Sequence, residues 1–368
     1  MSAKKKIVFI GPVFPYRGGI AQHSTMVARE LADLSELLVL SFSRQYPKFL
    51  YPGETDQDST YVDCSEENTE YMIDSLNPFT WQKAVNKVLD FGAEKVILPW
   101  WTIYFVPCFS YMLVQFRRKK IDIVFICHNV IEHESSIWKK KLSEAVLKMG
   151  SAFIVHSNTD RENLLEFLPD AKVNMHHHPL YDHFPLPRGE FERRKSLELL
   201  CYGFIRPYKG IDILVDAMSR VKRDDVQLTI AGEAWYEGDA IHTKVTELDL
   251  EDKIELRLYY HSDQETAELF SRADIVVLPY RSATGSGVIP IAYYYNKPVL
   301  VTKVGGLVDV VEECVTGIFV PPENPELLAA AIDRLSSEEC NAMSMNINQY
   351  IKDWTWESFA GKLLELHG

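Results

Sequence analysis

Short apolar, β-branched runs alternate along the chain with stretches whose apolar positions recur at helical spacing. The runs at 6–11, 37–41, 95–98, 121–127 and 152–156 read as strands, and those at 197–203, 226–231, 254–258, 273–280 and 299–302 repeat the scheme. The stretch 273–280 shows no polar alternation, as expected of a strand buried on both faces. Helical spacing falls at 21–33, 81–91, 138–149 and 161–167, and again at 211–221, 242–248, 264–272, 288–295 and 325–335. This order predicts an α/β protein built on doubly wound parallel sheets. Residues 42–70 are polar and irregular, a long surface connection. Around 179–194 three prolines and mixed charges break the pattern, so one domain is placed at 1–185 and a second at 196–345. The tail 346–368 carries Trp354, Trp356, Phe359, Leu363 and Leu364 and reads as a final helix.

Length agrees with two domains, since 368 residues exceed one typical core. The 39 basic and 52 acidic side chains leave a net charge of −13, which argues against a general nucleic-acid binder. The scattered cysteines form no C-x-x-C pair and read as reduced thiols of a cytoplasmic protein. The basic start is followed by only a short apolar run, a first strand rather than a signal peptide. Residues 96–116 are about long enough to span a bilayer, with Arg117-Arg-Lys-Lys120 behind them. Pro99 and Pro107 interrupt the segment, which reads as a strand plus a packed helix. The alternative is a membrane-facing apolar patch beside a basic cluster, a peripheral contact through the N-terminal domain.

In open α/β sheets ligands bind beyond the carboxyl ends of the strands, so the loops after strands hold the candidates. The turn Arg281-Ser-Ala-Thr-Gly-Ser-Gly287 joins a strand to a helix at Val288. Amides at a helix start favour an anion, and Thr284, Gly285, Ser286, Gly287 and Val288 suit a phosphate cradle. Arg206 and Lys209 follow the first strand of the second domain, a planar fork and a mobile point charge fit for a diphosphate. Gly18-Gly19 allows close backbone approach to a ligand. His128 directly follows a strand and suits a contact to a sugar hydroxyl, with Glu132, His133 and Glu134 nearby. His176-His-His178 and His183 lack cysteine or carboxylate partners at ligand spacing, so no metal is expected there.

Together these pieces resemble a family. Gly18-Gly19, His128-Asn-Val with His133-Glu134, the loop Gly203-Phe-Ile-Arg-Pro-Tyr-Lys-Gly210, Ala231-Gly-Glu233, Lys297-Pro-Val299 and Gly305-Gly306 follow the order of retaining family 4 glycosyltransferases with the GT-B fold. The resemblance implies two Rossmann-like domains facing a cleft, with the C-terminal helix crossing back to the first. It implies a nucleotide-sugar donor held by the second domain and a glycan or lipid-linked acceptor held by the first. It also implies transfer with retention, without a metal or other cofactor. Arg206 and Lys209 would then neutralise the diphosphate, with the amides near Gly287 and Val288 and with Gly19. Glu233 and the loop at Tyr259-Tyr-His261 would lie by base and ribose, and His128 by the sugar. The chain departs from the family pattern at Phe204, where an arginine is common, and at Ala283 and Ile291, where two glutamates are usual. A catalytically silent nucleotide-sugar-binding protein and a sugar-nucleotide epimerase are the alternatives.

Overall fold

A computed structural model describes residues 4–47, 56–57, 68–130, 137–189, 193–234 and 238–367. They fall into two compact units, Met1–His177 with Thr355–Gly368, and His178–Trp354.

The first unit runs β1 (Lys6–Ile10), α1 (Gly19–Leu34), β2 (Glu36–Arg44), β3 (Thr69–Asp74), α2 (Pro78–Phe91) and β4 (Lys95–Trp100). It continues with α3 (Val106–Arg118), β5 (Asp122–Cys127), α4 (Ile137–Leu147), β6 (Ala152–Val155), α5 (Asn158–Phe167) and β7 (Val173–Met175). The strands form one parallel sheet in the order β3-β2-β1-β4-β5-β6-β7. Its central strands are buried on both faces, which is why their sequences show no alternation.

The second unit repeats the plan: β8 (Leu197–Tyr202), α6 (Ile211–Met218), β9 (Val226–Ala231), α7 (Gly238–Glu247), β10 (Ile254–Arg257) and α8 (Asp263–Arg272). Then follow β11 (Ile275–Leu278), α9 (Val288–Tyr294), β12 (Val299–Thr302), α10 (Leu307–Val310), β13 (Gly317–Val320), α11 (Pro325–Arg334) and α12 (Ser337–Tyr350). This sheet is also parallel, ordered β10-β9-β8-β11-β12-β13. Both orders reverse direction at the first strand of the unit, as doubly wound folds do.

The tail is two helices, not one. A capping box of Ser336 and Glu339 starts α12, and the Thr355 hydroxyl caps α13 (Trp356–Glu365) by accepting from the Ser358 amide. The chain enters the first unit at Thr355, where the sequence reading begins its third segment at 346. There α13 buries Trp356, Phe359, Ala360 and Leu363 among Ile7, Phe9, Val27 and Leu31. Its carboxyl end is held by Lys95, whose ammonium donates to the carbonyls of Leu363, Leu364 and Leu366 at 2.9, 2.8 and 2.6 Å. Those carbonyls have no partner within the helix, and a cation there also suits the helix dipole.

Residues 96–116 form β4 and α3 inside the first core: Trp100, Phe105, Cys108, Phe109, Met112, Leu113 and Phe116 are all buried. Among the described residues no helix is long and apolar enough to cross a membrane. The strands β3, β7 and β13 are absent from the sequence reading because they are short or partly polar edge elements.

Candidate functional site

The carboxyl ends of β8, β9 and β11 converge in the second unit. The Gly203 amide donates to the Ala231 carbonyl at 2.9 Å, and the Ile205 amide to the Glu233 carbonyl at 2.9 Å. Gly232 has φ +148, and a side chain there would lie 2.1 Å from the Gly203 carbonyl oxygen. Two loops thus pack backbone on backbone, and only glycine permits it. The next residues make a single 3-10 turn, Pro207–Lys209, before Gly210 opens α6.

That turn folds Lys209 back beneath Gly203. The lysine is 6% exposed. Its Nζ lies 3.4 Å from the Tyr202 carbonyl oxygen and 5.7 Å from the centroid of the Tyr280 ring. A Cβ on Gly203 would meet it at 2.8 Å. Burial draws its pKa down to about 8, and the Arg206 charge adds to the fall. Among the described residues no carboxylate forms an ion pair with it. A buried ammonium without a counter-ion is costly, and an anionic ligand would relieve the cost.

Other predicted residues gather around it. The Val288 side chain lies 3.5 Å from where a Gly203 Cβ would be. Tyr280 Oη and Ser286 Oγ are 3.3 Å apart, and Ser286 Oγ accepts from the Val288 amide at 3.2 Å. That amide is therefore engaged, where the sequence reading leaves it open to a phosphate. Gly285 and Gly287 are exposed and Thr284 is buried. Gly305, at φ +41, lies under the same turn, and a Cβ added to it would fall 1.7 Å from the Ala283 carbonyl oxygen. The Glu233 carboxylate has one buried oxygen, Oε2, that no described residue hydrogen-bonds. His261 is buried and stacks on the exposed Tyr259 ring at 4.3 Å. Desolvation lowers its pKa, which favours the neutral imidazole.

Arg206 lines a different space, a cavity of about 390 Å³ with Pro207, Ile211, Asp212, Lys244 and Arg281. Arg281 holds Asp212 in a two-pronged ion pair at 2.8 and 2.6 Å and also pairs with Glu323 at 2.8 Å. The Asp212 pKa falls chiefly through that hydrogen bonding. The clamp ties the start of the 281–287 turn to α6. Sequence reasoning gives no site role to Arg281, Tyr280 or Tyr202, although the first two lie within three residues of the end of β11.

In the first unit Gly18 and Gly19 line a cavity of about 120 Å³ with Arg17, Tyr46, Asp56 and Trp101. His128 donates its backbone amide to the Trp100 carbonyl at 2.9 Å. Two further histidines join it. Cys127 and Val155 are register partners on β5 and β6, so His128 and His156, one residue beyond each, lie side by side at 5.2 Å. His23 of α1, fully buried, meets His128 edge-on at 4.5 Å and His156 at 5.2 Å. Trp356 and Phe359 of α13 close over His23. The ligating atoms of these three imidazoles lie within 4.8 Å of one another, the described group whose composition suits a metal. The sequence reading singled out His128 alone; His156 was read as the end of a strand, and His23 was not noticed. His176 is bound separately, to Ser358 Oγ at 3.2 Å, and His178 to Tyr181 Oη at 3.2 Å. Glu132, His133 and Glu134 lie outside the described residues.

Comparison with known proteins gives this arrangement its relatives. The family model described as glycosyl transferases group 1 matches residues 183–354. A GDP-mannose:glycolipid 4-beta-D-mannosyltransferase of Xanthomonas campestris pv. campestris is 26% identical over 196 residues, 52% of this chain and 53% of the relative. The chain spans about half the length of the curated relatives it matches. Among solved structures, a glycosyltransferase from Rickettsia africae superposes with a TM-score of 0.76 at 19% identity, covering 98% of this chain and 97% of that one. An Anabaena protein solved with UDP-glucose gives 0.72 at 16% identity, covering 98% and 99%. At such identities the structures speak for the fold, which is GT-B. The chain carries that fold, and its residues 183–354 match the family described as glycosyl transferases group 1.

Proposed function

We propose that the chain transfers a sugar from a nucleotide-diphosphate donor to a glycan or lipid-linked acceptor, with retention and without a metal. The observation that carries this reading is Lys209: a buried ammonium with no described carboxylate partner, at the meeting of three strand ends. A diphosphate would supply the missing anion, and the negative charge that develops on it as the glycosidic bond breaks would be held most strongly there. The oxygen of Glu233 that lacks a described partner suits a ribose hydroxyl, and the exposed Tyr259 ring backed by His261 suits a base. Arg206, two residues beyond the position where the family has its arginine, would have to turn out of the neighbouring cavity that it lines to reach the same phosphates. Gly285, Ser286 and Gly287 offer the remaining small, partly exposed contacts, and Thr284 supports them. His128 is proposed to act on the reacting sugar. In that case His128→Ala lowers turnover and leaves nucleotide affinity unchanged.

The relatives support the donor class. One is named for GDP-mannose and one neighbour was solved with UDP-glucose. The test is a thermal-shift screen of nucleotide sugars, since a ligand that binds only the folded state raises the melting point. It is followed by measurement of nucleoside diphosphate released with lipid-linked and soluble glycan acceptors. Absence of any stabilising nucleotide sugar would overturn the reading.

A second reading has one observation in its favour. Ala283 and Ile291 are buried at 5% and 7% exposure, and neither offers a carboxylate to sugar or ribose. A chain that binds the nucleotide sugar without transferring it would show the melting shift but no diphosphate release.

A further inference from the structure

The apolar face that the sequence offers to a membrane is buried, but a different one is exposed. On α4, Ile137 and Trp138 are 77% and 58% exposed, and Leu142 is exposed one turn on. Single exposed apolar side chains are ordinary; three on one face of an 11-residue helix are a patch. Their spacing sets Trp138 and Leu142 on one ridge and Ile137 with Lys141 on the next. The opposite face, with Ser143, Val146 and Leu147, is the one buried in the unit.

Cations lie along the same helix and beyond its carboxyl end. Lys140, Lys141 and Lys148 are exposed on or just after α4. The end of α3 adds Arg117, Arg118, Lys119 and Lys120, all exposed. The two groups are contiguous, because Arg117 Nη1 donates to the Lys148 carbonyl at 3.3 Å. Glu144 is the acidic side chain on the helix, and it is paired with Lys148 at 2.5 Å. This concentration of positive charge sits on a chain whose net charge is −13. An aromatic and two aliphatic side chains on a helix that carries exposed lysines, with further cations beyond its carboxyl end, match a surface that is anionic outside and apolar beneath.

We propose that α4 and the end of α3 dock the first unit onto an anionic lipid bilayer, with Trp138, Ile137 and Leu142 entering the interface and the lysines and arginines meeting lipid phosphates. The inference is independent of the donor reading, because none of these residues belongs to the site in the second unit.

The test is co-sedimentation of the full chain with vesicles of phosphatidylcholine alone and of phosphatidylcholine with an equal part of phosphatidylglycerol. Binding is expected to the anionic vesicles only, at least tenfold above neutral ones, and to weaken as salt rises. Trp138→Ser with Lys140→Gln and Lys141→Gln should lower it at least tenfold. Met345→Ser, an equally exposed apolar site in the second unit, should leave it unchanged. All four positions are exposed, so melting point and nucleotide binding serve as controls for folding. Should the triple variant lose its fold, tryptophan emission of the chain and of its Trp138→Phe variant reports insertion instead: the blue shift on anionic vesicles should disappear in the variant. Equal binding to both vesicle types, undiminished binding by a folded triple variant, or no binding to anionic vesicles overturns the proposal. So does retention of an acidic protein or nucleic acid in place of vesicles.

Discussion

Two buried lysines, one in each unit, are lowered by burial alike and have opposite surroundings. Burial brings both Lys95 and Lys209 down to about 8. Lys95 donates to three carbonyls that end α13, so its charge closes a structural joint. Lys209 reaches one carbonyl at 3.4 Å and no described carboxylate. A buried cation whose hydrogen bonds are complete belongs to the fold. One whose bonds are incomplete, at the carboxyl ends of a parallel sheet, is the group that the proposed function assigns to an anion.

Exchanging each lysine for methionine should separate these roles. Lys209→Met is expected to reduce nucleotide-sugar affinity roughly 100-fold, about 2.7 kcal/mol. The same change removes an uncompensated charge and should raise stability by up to about 3 kcal/mol, the order set by its lowered pKa. Calorimetry and thermal melting read the two effects, and a fall in both would break the comparison. Lys95→Met should do the reverse. It strands three carbonyls and should destabilise the first unit by on the order of 3 kcal/mol, with nucleotide affinity intact.

A smaller effect is expected at Gly305. An alanine there would drive its Cβ into the Ala283 carbonyl and displace the 281–287 turn. Affinity for the nucleotide sugar should fall about tenfold, or 1.4 kcal/mol, and unchanged affinity in a folded variant would detach the turn from the donor site. Smallest is Glu233→Gln, which keeps the shape and one acceptor. A loss of roughly threefold to tenfold is expected if Oε2 takes a ribose hydroxyl, and none if it does not.

The pH dependence follows with a definite sign. Free lysine titrates near 10.5, and folded Lys209 near 8. Below pH 8 both states are protonated and the full burial penalty stands. Between pH 8 and 10.5 the unfolded chain holds more protons, so the contribution of this group to stability rises. Donor affinity needs the charged form and falls through the same window.

The alternation of apolar runs was enough to foresee two parallel sheets, because strands buried on both faces leave continuous hydrophobic segments such as 121–127 and 273–280. The edge strands β3, β7 and β13 were not legible, since a half-exposed strand of three to six residues carries little pattern. Lys209 and Glu233 could be nominated from their position after strands. What distinguishes Lys209 from Arg206, one turned inward and one lining a separate cavity, depends on a 3-10 turn that spacing does not encode. The clustering of His23 with His128 and His156 needed the packing of α1 and α13, contributed from opposite ends of the chain.

The most direct test is proton uptake on binding of a stabilising nucleotide sugar, measured by calorimetry at pH 8 in buffers of different ionisation enthalpy. Lys209, about half protonated when free, should become fully protonated against the diphosphate. The account therefore predicts uptake of about half a proton per ligand bound, abolished in Lys209→Met. Binding of the same ligand with no proton uptake, or with uptake that survives in Lys209→Met, would contradict it.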